Sequence, residues 1–218
     1  SMTNLISNTG VASTDVTGVG SLRRTTACEY GGDKGIFGYG YGNPFSNASM
    51  TNLVSNTGVV SSDVAGVGTA AADRVACEYG GDKGIFGFGS VAQEVSADYM
   101  TDVTNLVSNT GVVASDTAGV GTASYNKGAC EYGGDKGIFG FGYINYYYID
   151  ETNLVSNAGV VATDTVGVGT ARQQLAACSY GGDKGIFGYG TDGSATAVTN
   201  LVSNAGVVAS DQATVTGT

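Results

Sequence analysis

The chain has 218 residues, 37 of them glycine, with one proline (Pro44), no histidine and no tryptophan. Nineteen acidic against nine basic residues give a net charge of −10, which argues against nucleic acid as a partner, because neutralising phosphates takes a basic surface. No Gly-X-Y period suggests collagen, and no apolar run approaches the roughly 18 residues that would insert into a membrane. The absence of histidine removes the commonest general base and the commonest metal ligand together. Residues 1–5, Ser-Met-Thr-Asn-Leu, carry no basic region followed by an apolar stretch, so no signal peptide is expected.

Internal repetition dominates the sequence. The word Thr-Asn-Leu-(Val/Ile)-Ser-Asn begins at Thr3, Thr51, Thr104, Thr152 and Thr199, at spacings of 48, 53, 48 and 47. The word Tyr-Gly-Gly-Asp-Lys-Gly-Ile-Phe-Gly begins at Tyr30, Tyr79, Tyr132 and Tyr180. The chain therefore reads as one domain over 1–218, an array of units of about 48 residues.

In chain order, residues 3–13 form a hairpin of two strands, C and D. Four stretches follow in which strands A and B start at Thr26, Val75, Gly128 and Ala176, each leading to another C–D hairpin. In the second unit, Ala76-Cys77-Glu78-Tyr79 is strand A, and Gly80-Gly81-Asp82-Lys83 supplies turn residues that tolerate positive φ. Strand B runs from Gly84 to Gly89, strand C from Thr104 to Ser108 and strand D from Val112 to Ser115. Asn109-Thr110-Gly111 is the C–D turn. A helical unit is excluded by seven or more glycines per repeat and no 3.6-residue periodicity.

Four short antiparallel strands every 40–50 residues are the pattern of a β-propeller blade. The expected fold is all-β: a propeller of four full blades plus one C–D half-blade, with five blade positions favoured. The Gly/Val layout also fits a β-solenoid. The order Arg172…Ala176-Ala177-Cys178…Gly185-Ile186-Phe187-Gly188-Tyr189-Gly190 resembles the kelch blade, and more closely the kelch-like repeats of bacteriophage and marine viral proteins. In that blade an Arg precedes strand A and a glycine pair ends strand B. Only Arg172 supplies the Arg, while Ala72 and Ser124 stand in that region of two other copies.

The copies differ in only two kinds of segment. The B–C segments are 41–50, 90–103, 143–151 and 191–198; the D–A segments are 21–26, 70–75, 123–128 and 171–176. Antiparallel strands alternate direction, so both kinds emerge at one end of the array and the invariant turns at the other. Binding residues concentrate on such loops, and Tyr, Ser, Gly and Asn suit adaptable recognition. The candidate ligand-binding residues are Tyr41, Asn43, Phe45, Tyr99, Tyr143, Tyr146, Tyr147 and Tyr148 from the B–C segments. Arg23, Arg24, Tyr125 and Arg172 come from the D–A segments. Drift of unconstrained loops is the competing explanation.

No catalytic residues, metal ligands or cofactor are expected. Cys28, Cys77, Cys130 and Cys178 occur once per unit, without a Cys-x-x-Cys pair, and read as small apolar fillers with free thiols. Free thiols suit synthesis in a reducing compartment. Glu29, Glu78 and Glu131 read as a solvated or channel-lining ring, and Asp15, Asp63, Asp116 and Asp164 as turn caps. The expected function is non-enzymatic recognition, with a cell-surface glycan or protein as partner. The resemblance implies a virion component such as a phage tail or receptor-binding protein. The alternative is a structural or engineered scaffold that assembles through its repeats. The surplus N-terminal hairpin could join chains into a homo-oligomer.

Overall fold

The computed structural model describes residues 2–42, 46–92 and 99–212, and among them the chain is all-β. The N-terminal hairpin pairs β1 (Met2–Thr3) with β2 (Val16–Thr17). Four three-stranded antiparallel sheets follow in the order A-B-C. Unit 1 holds β3 (Arg23–Tyr30), β4 (Lys34–Gly42) and β5 (Ser46–Val54). Unit 2 holds β6 (Val75–Tyr79), β7 (Lys83–Gly87) and β8 (Thr104–Val107). Unit 3 holds β9 (Gly128–Tyr132), β10 (Lys136–Ile144) and β11 (Tyr147–Val155), and unit 4 holds β12 (Ala176–Tyr180), β13 (Lys184–Gly188) and β14 (Thr199–Val202).

Strand D is where the structure departs from a four-stranded unit. It touches strand C only through isolated bridges, such as Val54↔Val60 and Thr51↔Val64 in unit 1. A sparse set of main-chain bonds, such as the Ser61 N–H to the Leu53 carbonyl at 2.8 Å, is supplemented by side chains. The Leu53 N–H donates to the Ser61 hydroxyl at 2.9 Å, and the Asn52 amide donates to the Ser61 carbonyl at 3.1 Å and to Asp63 at 2.9 Å. Asn105, Asn153 and Asn200 reach across to Asp116, Asp164 and Asp211 in the same way.

Strand B is kinked at its aromatic residue, ending there in units 2 and 4 and running on past it in units 1 and 3. Tyr39, Phe88, Phe141 and Tyr189, each flanked by glycine, sit in the left-handed region at φ 56, 58, 61 and 62°. This kink breaks the register between Gly38 and Gly40 and between Gly140 and Gly142. In the first three units it buries the ring against the following unit: Tyr39 on Phe86, Phe88 on Phe139 and Phe141 on Phe187, with centroids 5.1–5.3 Å apart and edge-to-face. Such pairs contribute about 0.5–1.5 kcal/mol beyond the area they bury. Glycine makes room under each incoming ring: a Cβ on Gly38 would lie 2.7 Å from Phe86 and one on Gly140 2.9 Å from Phe187.

The core is thus divided among the unit-to-unit interfaces rather than gathered in one centre. At each interface the cysteine of one unit fills the space over a strand-B glycine of the next. Cys77 Sγ lies 2.7 Å from where a Gly137 Cβ would stand, and Cys28 and Cys130 hold the same relation to Gly84 and Gly185. Hydrogen bonds repeat as well. Gly31, Gly80 and Gly133 donate their N–H to the Asp82, Asp135 and Asp183 carbonyls, all at 2.7 Å.

Candidate binding surface

Hydrogen bonds fix which segments share an end. Asn56, Asn109, Asn157 and Asn204 of the C–D turns donate to Asp33, Asp82, Asp135 and Asp183 of the A–B turns. The invariant turns are tied together there. At the other end the D–A and B–C segments meet, as in the Tyr125↔Tyr143 and Gln173↔Thr191 bridges.

The expected B–C loops of units 1 and 3 are largely strand. β4 and β5 run on past Tyr41, and β10 and β11 form a hairpin closed by Asn145 and Tyr146, at φ 43 and 72°. Two consecutive positive φ values are the requirement of a type I′ turn. Tyr146 and Tyr147 are exposed at its tip, at 71 and 73%. Tyr143 and Tyr148 lie lower and meet at 5.1 Å with their rings tilted by 59°, and Tyr125 meets Tyr143 edge-on at 5.7 Å. Arg24 lies over the Tyr41 ring at 5.5 Å. The Tyr99 carbonyl accepts the Val91 N–H at 2.7 Å. Asn43 and Phe45 lie outside the described residues.

A cavity of about 290 Å³ opens among the four units at this variable end. Residues four positions before each cysteine line it: Arg24, Asp73, Asn126 and Gln174. They are equivalent in register and different in chemistry. Asp73, Asn126 and Gln174 hold positive φ of 50, 56 and 55°, a conformation that non-glycine residues keep only where the surroundings impose it. The Asn126 amide donates to Gln173 at 3.0 Å and its carbonyl accepts the Gln174 N–H at 3.0 Å, linking units 3 and 4 across the cavity wall. Sequence reasoning found Arg24 but missed the other three. Their signal was positional: each stands four residues before the cysteine, inside a D–A segment that varies from copy to copy.

Arg23 and Arg172 serve the scaffold. Arg172 is fully buried, donates to the Tyr189 and Thr170 carbonyls at 2.9 and 3.0 Å, and covers the Phe141 ring at 4.1 Å. Arg23 donates to the Tyr39 carbonyl at 3.0 Å and to Asn52 at 2.6 Å. The cation expected only at Arg172 is present in the other units too, at other sequence offsets. Arg74 covers Tyr39 at 4.1 Å and Lys127 covers Phe88 at 4.6 Å. A side chain three residues before the cysteine reaches the place that Arg172 reaches from six residues before. Burial lowers the Lys127 amine to about 8, against the opposing pull of Asp164 and Glu151.

Charge is unevenly spread between the ends. Three of the nine basic residues, Arg24, Arg74 and Lys127, line the variable-end cavity against one acid, Asp73. A second cavity of about 430 Å³ lies along the first strands and holds Cys28, Cys77, Cys130, Cys178, Glu29, Glu78 and Glu131. Burial, with the nearby Glu131 and Glu29 charges, raises the Glu78 carboxyl to about 7. Among the described residues no group of three or more acids and cysteines could hold a metal ion. No helix is long and apolar enough to cross a membrane.

Neither a protein-family model nor a curated protein sequence matches this chain.

Proposed function

We propose that this protein is a non-enzymatic recognition module, a β-propeller-like array of blades that holds its ligand at the variable end. One observation carries the reading. Arg24, Asp73, Asn126 and Gln174 occupy the same register in four nearly identical units, differ in each, and converge on one cavity. A scaffold that only assembles has no use for four different polar groups at one cavity shared by its units. The ligand class favoured is a cell-surface glycan bearing an acidic group, matched to three cations and to the amide and carboxylate acceptors around them. The exposed Tyr146 and Tyr147 supply rigid amphipathic contact area beside it. The kelch-like viral resemblance suits a virion component that attaches to a host.

A glycan array, comparing the protein with a variant carrying Arg24→Ala, Asp73→Ala, Asn126→Ala and Gln174→Ala, tests this. Binding to acidic glycans that the variant loses supports the reading. Binding that the variant retains places the site elsewhere.

A second reading is assembly. Val11, Val59, Val112, Val160 and Val207, one in each C–D hairpin beside its turn glycine, are all 64–66% exposed. Light scattering that finds discrete oligomers, abolished by Val→Ser at these positions, favours that role.

A further inference from the structure

Three interfaces between consecutive units share one set of contacts, and the far side of unit 4 presents the same set unused. Tyr30, Tyr79 and Tyr132 are 3–4% exposed, whereas Tyr180 is 40% exposed. Tyr39, Phe88 and Phe141 are buried, whereas Tyr189 is 64% exposed. Cys28 and its equivalents Cys77 and Cys130 sit against glycines of the next unit, and Cys178 is exposed. Gly38, Gly87 and Gly140 each face an incoming phenylalanine, while a Cβ on Gly188 would meet only Thr199, at 3.4 Å. Gly40, Gly89 and Gly142 donate their N–H to the Ala71, Ser124 and Arg172 carbonyls of the next unit, all at 2.9 Å. Gly190 and Gly181 have no such acceptor among the described residues.

The N-terminal hairpin shows the complementary deficit. It packs on unit 1 as any unit packs on its successor: Leu5 lies over Gly58, as Leu53, Leu106 and Leu154 lie over Gly111, Gly159 and Gly206. The Ser21 N–H and hydroxyl grip Asp63 at 3.0 and 2.7 Å, as Thr69 grips Asp116. Yet its strand C has no strand B beside it among the described residues, where Thr51–Val54 pairs with Gly35–Gly38. Its turn glycine, Gly10, meets nothing within 4 Å, whereas Gly111 rests on Tyr30 and Leu53. Residues 1–218 contain five C–D hairpins but four A–B hairpins.

We propose that this seam, unit 4 on one side and the N-terminal hairpin on the other, is the docking site for one A–B β-hairpin of the same repeat, supplied from outside residues 1–218. The partner is defined by its chemistry. A strand with a small residue in the cysteine place leads into Gly-Gly-Asp-Lys, whose Asp carbonyl accepts the Gly181 N–H. A Gly-Ile-Phe-Gly strand then lays its phenylalanine over Gly188 and against Tyr189 and pairs with Thr3–Ile6. A cation ahead of the first strand covers the Tyr189 ring, as Arg172 covers Phe141. The face is continuous in kind with the three interfaces already filled, and main-chain pairing at an open sheet edge is an established mode of recognition.

The test adds to the full chain a synthetic peptide of residues 171–190 carrying Cys178→Ala. A scrambled peptide is the control, and a second protein carries Gly188→Leu. That leucine has room in the open seam and occupies the space of the incoming phenylalanine, so the variant should melt like the parent. A third protein carries a copy of residues 171–190 fused after Thr218. The expected results are saturable binding of the peptide, a raised melting temperature, and loss of Cys178 labelling by a thiol reagent. The scrambled peptide and Gly188→Leu should show none of these, and the fused protein all of the protection without added peptide. If the fused protein leaves Cys178 as reactive and the melting temperature as low as the parent, the proposal is overturned. Equal binding to Gly188→Leu overturns it also. None of these readouts depends on the glycan reading.

Discussion

The Arg74 guanidinium sits 4.1 Å above the Tyr39 ring of the preceding unit while its Nη1 donates to Asn105 Oδ1 at 2.6 Å. One side chain therefore joins the neighbouring unit's ring to its own unit's third strand. Lys127 occupies the same register position in unit 3 and covers Phe88, but Asn153 Oδ1 is left buried without a hydrogen-bond partner. Lys127→Arg should supply that donor and raise the unfolding free energy by about 1 kcal/mol. Chemical denaturation reads this as a higher midpoint at unchanged slope. A lower midpoint would show that the unit 3 site cannot hold the guanidinium fork.

Asp116 accepts the Thr69 N–H and hydroxyl at 3.0 and 2.7 Å and the Asn105 amide at 2.8 Å. Burial pushes its carboxyl up, but these bonds and the Arg74 charge outweigh it, and the net shift is downward. A carboxylate depressed in the fold contributes stability above its unfolded value of 3.8, and that contribution is lost as pH falls through the folded value. Asp116→Ala should cost about 1 kcal/mol at pH 7, discounted for its solvent exposure, and nothing at a pH below both values. Melting curves taken from pH 7 down to the acid limit of folding should show the difference between the two proteins shrinking as pH falls below 3.8.

Glu78 acts in the opposite sense. Its folded value of about 7 exceeds the ordinary value of 4.5, so the folded state holds its proton more tightly than the unfolded chain. Stability from this group declines as pH rises from about 4.5 to 7 and stays low beyond. Glu78→Gln should raise the melting temperature at pH 8 and leave it nearly unchanged at pH 4. An equal effect at both values would point to packing rather than charge.

Thiol chemistry should separate the cysteines. Burial pushes the Cys28 and Cys130 thiols up to about 12 and Cys77 well above its ordinary value, while Cys178 is exposed. Because the thiolate is the reactive form, the three raised thiols should react slowly, so a native-state titration should find one fast thiol, and denaturation without reductant should bring the count to four. Two or more fast thiols in the native protein would mean that the interfaces over Gly84, Gly137 and Gly185 open readily.

Tyr146 and Tyr147 should be separable from the other tyrosines of their hairpin. Replacing both with Ala leaves the melting temperature near that of the parent, because both side chains are exposed. Replacing Tyr143 removes contacts to both Tyr125 and Tyr148 and should lower it. Circular dichroism melts of the two variants make the comparison, and a large loss from the first would assign the hairpin tip to the scaffold.

Much of this was legible from the repeated words. Gly-Gly-Asp-Lys and Asn-Thr-Gly marked turns because few residues accept positive φ, and antiparallel alternation alone placed the variable segments at one end. Strand D was misjudged because its Val-Val-Ala-Ser pattern alternates like a strand, while its pairing is reduced to isolated bridges supplemented by Asn and Asp side chains acting across 9 to 11 residues. The interface cations escaped notice because Arg74 and Lys127 reach from one offset and Arg172 from another, so no column of the repeat displays them. Asp73, Asn126 and Gln174 were hidden for the opposite reason: each is unremarkable in its own segment, and only the sheet register brings them to one cavity.

The interfaces described between units join consecutive neighbours, so the array behaves as a row in which each member is held by the two beside it. Amide hydrogen exchange should then be graded along the chain. Units 2 and 3, clasped from both sides, should protect their amides for longest, and unit 3 with its extended β10–β11 hairpin longer still. Unit 4 and the residues before Arg23 should exchange first, through openings that need no disturbance of the middle. A stretch of chain this repetitive could lose or gain a whole member in the course of inheritance without unsettling the remainder, since every seam between members is cut to the same template.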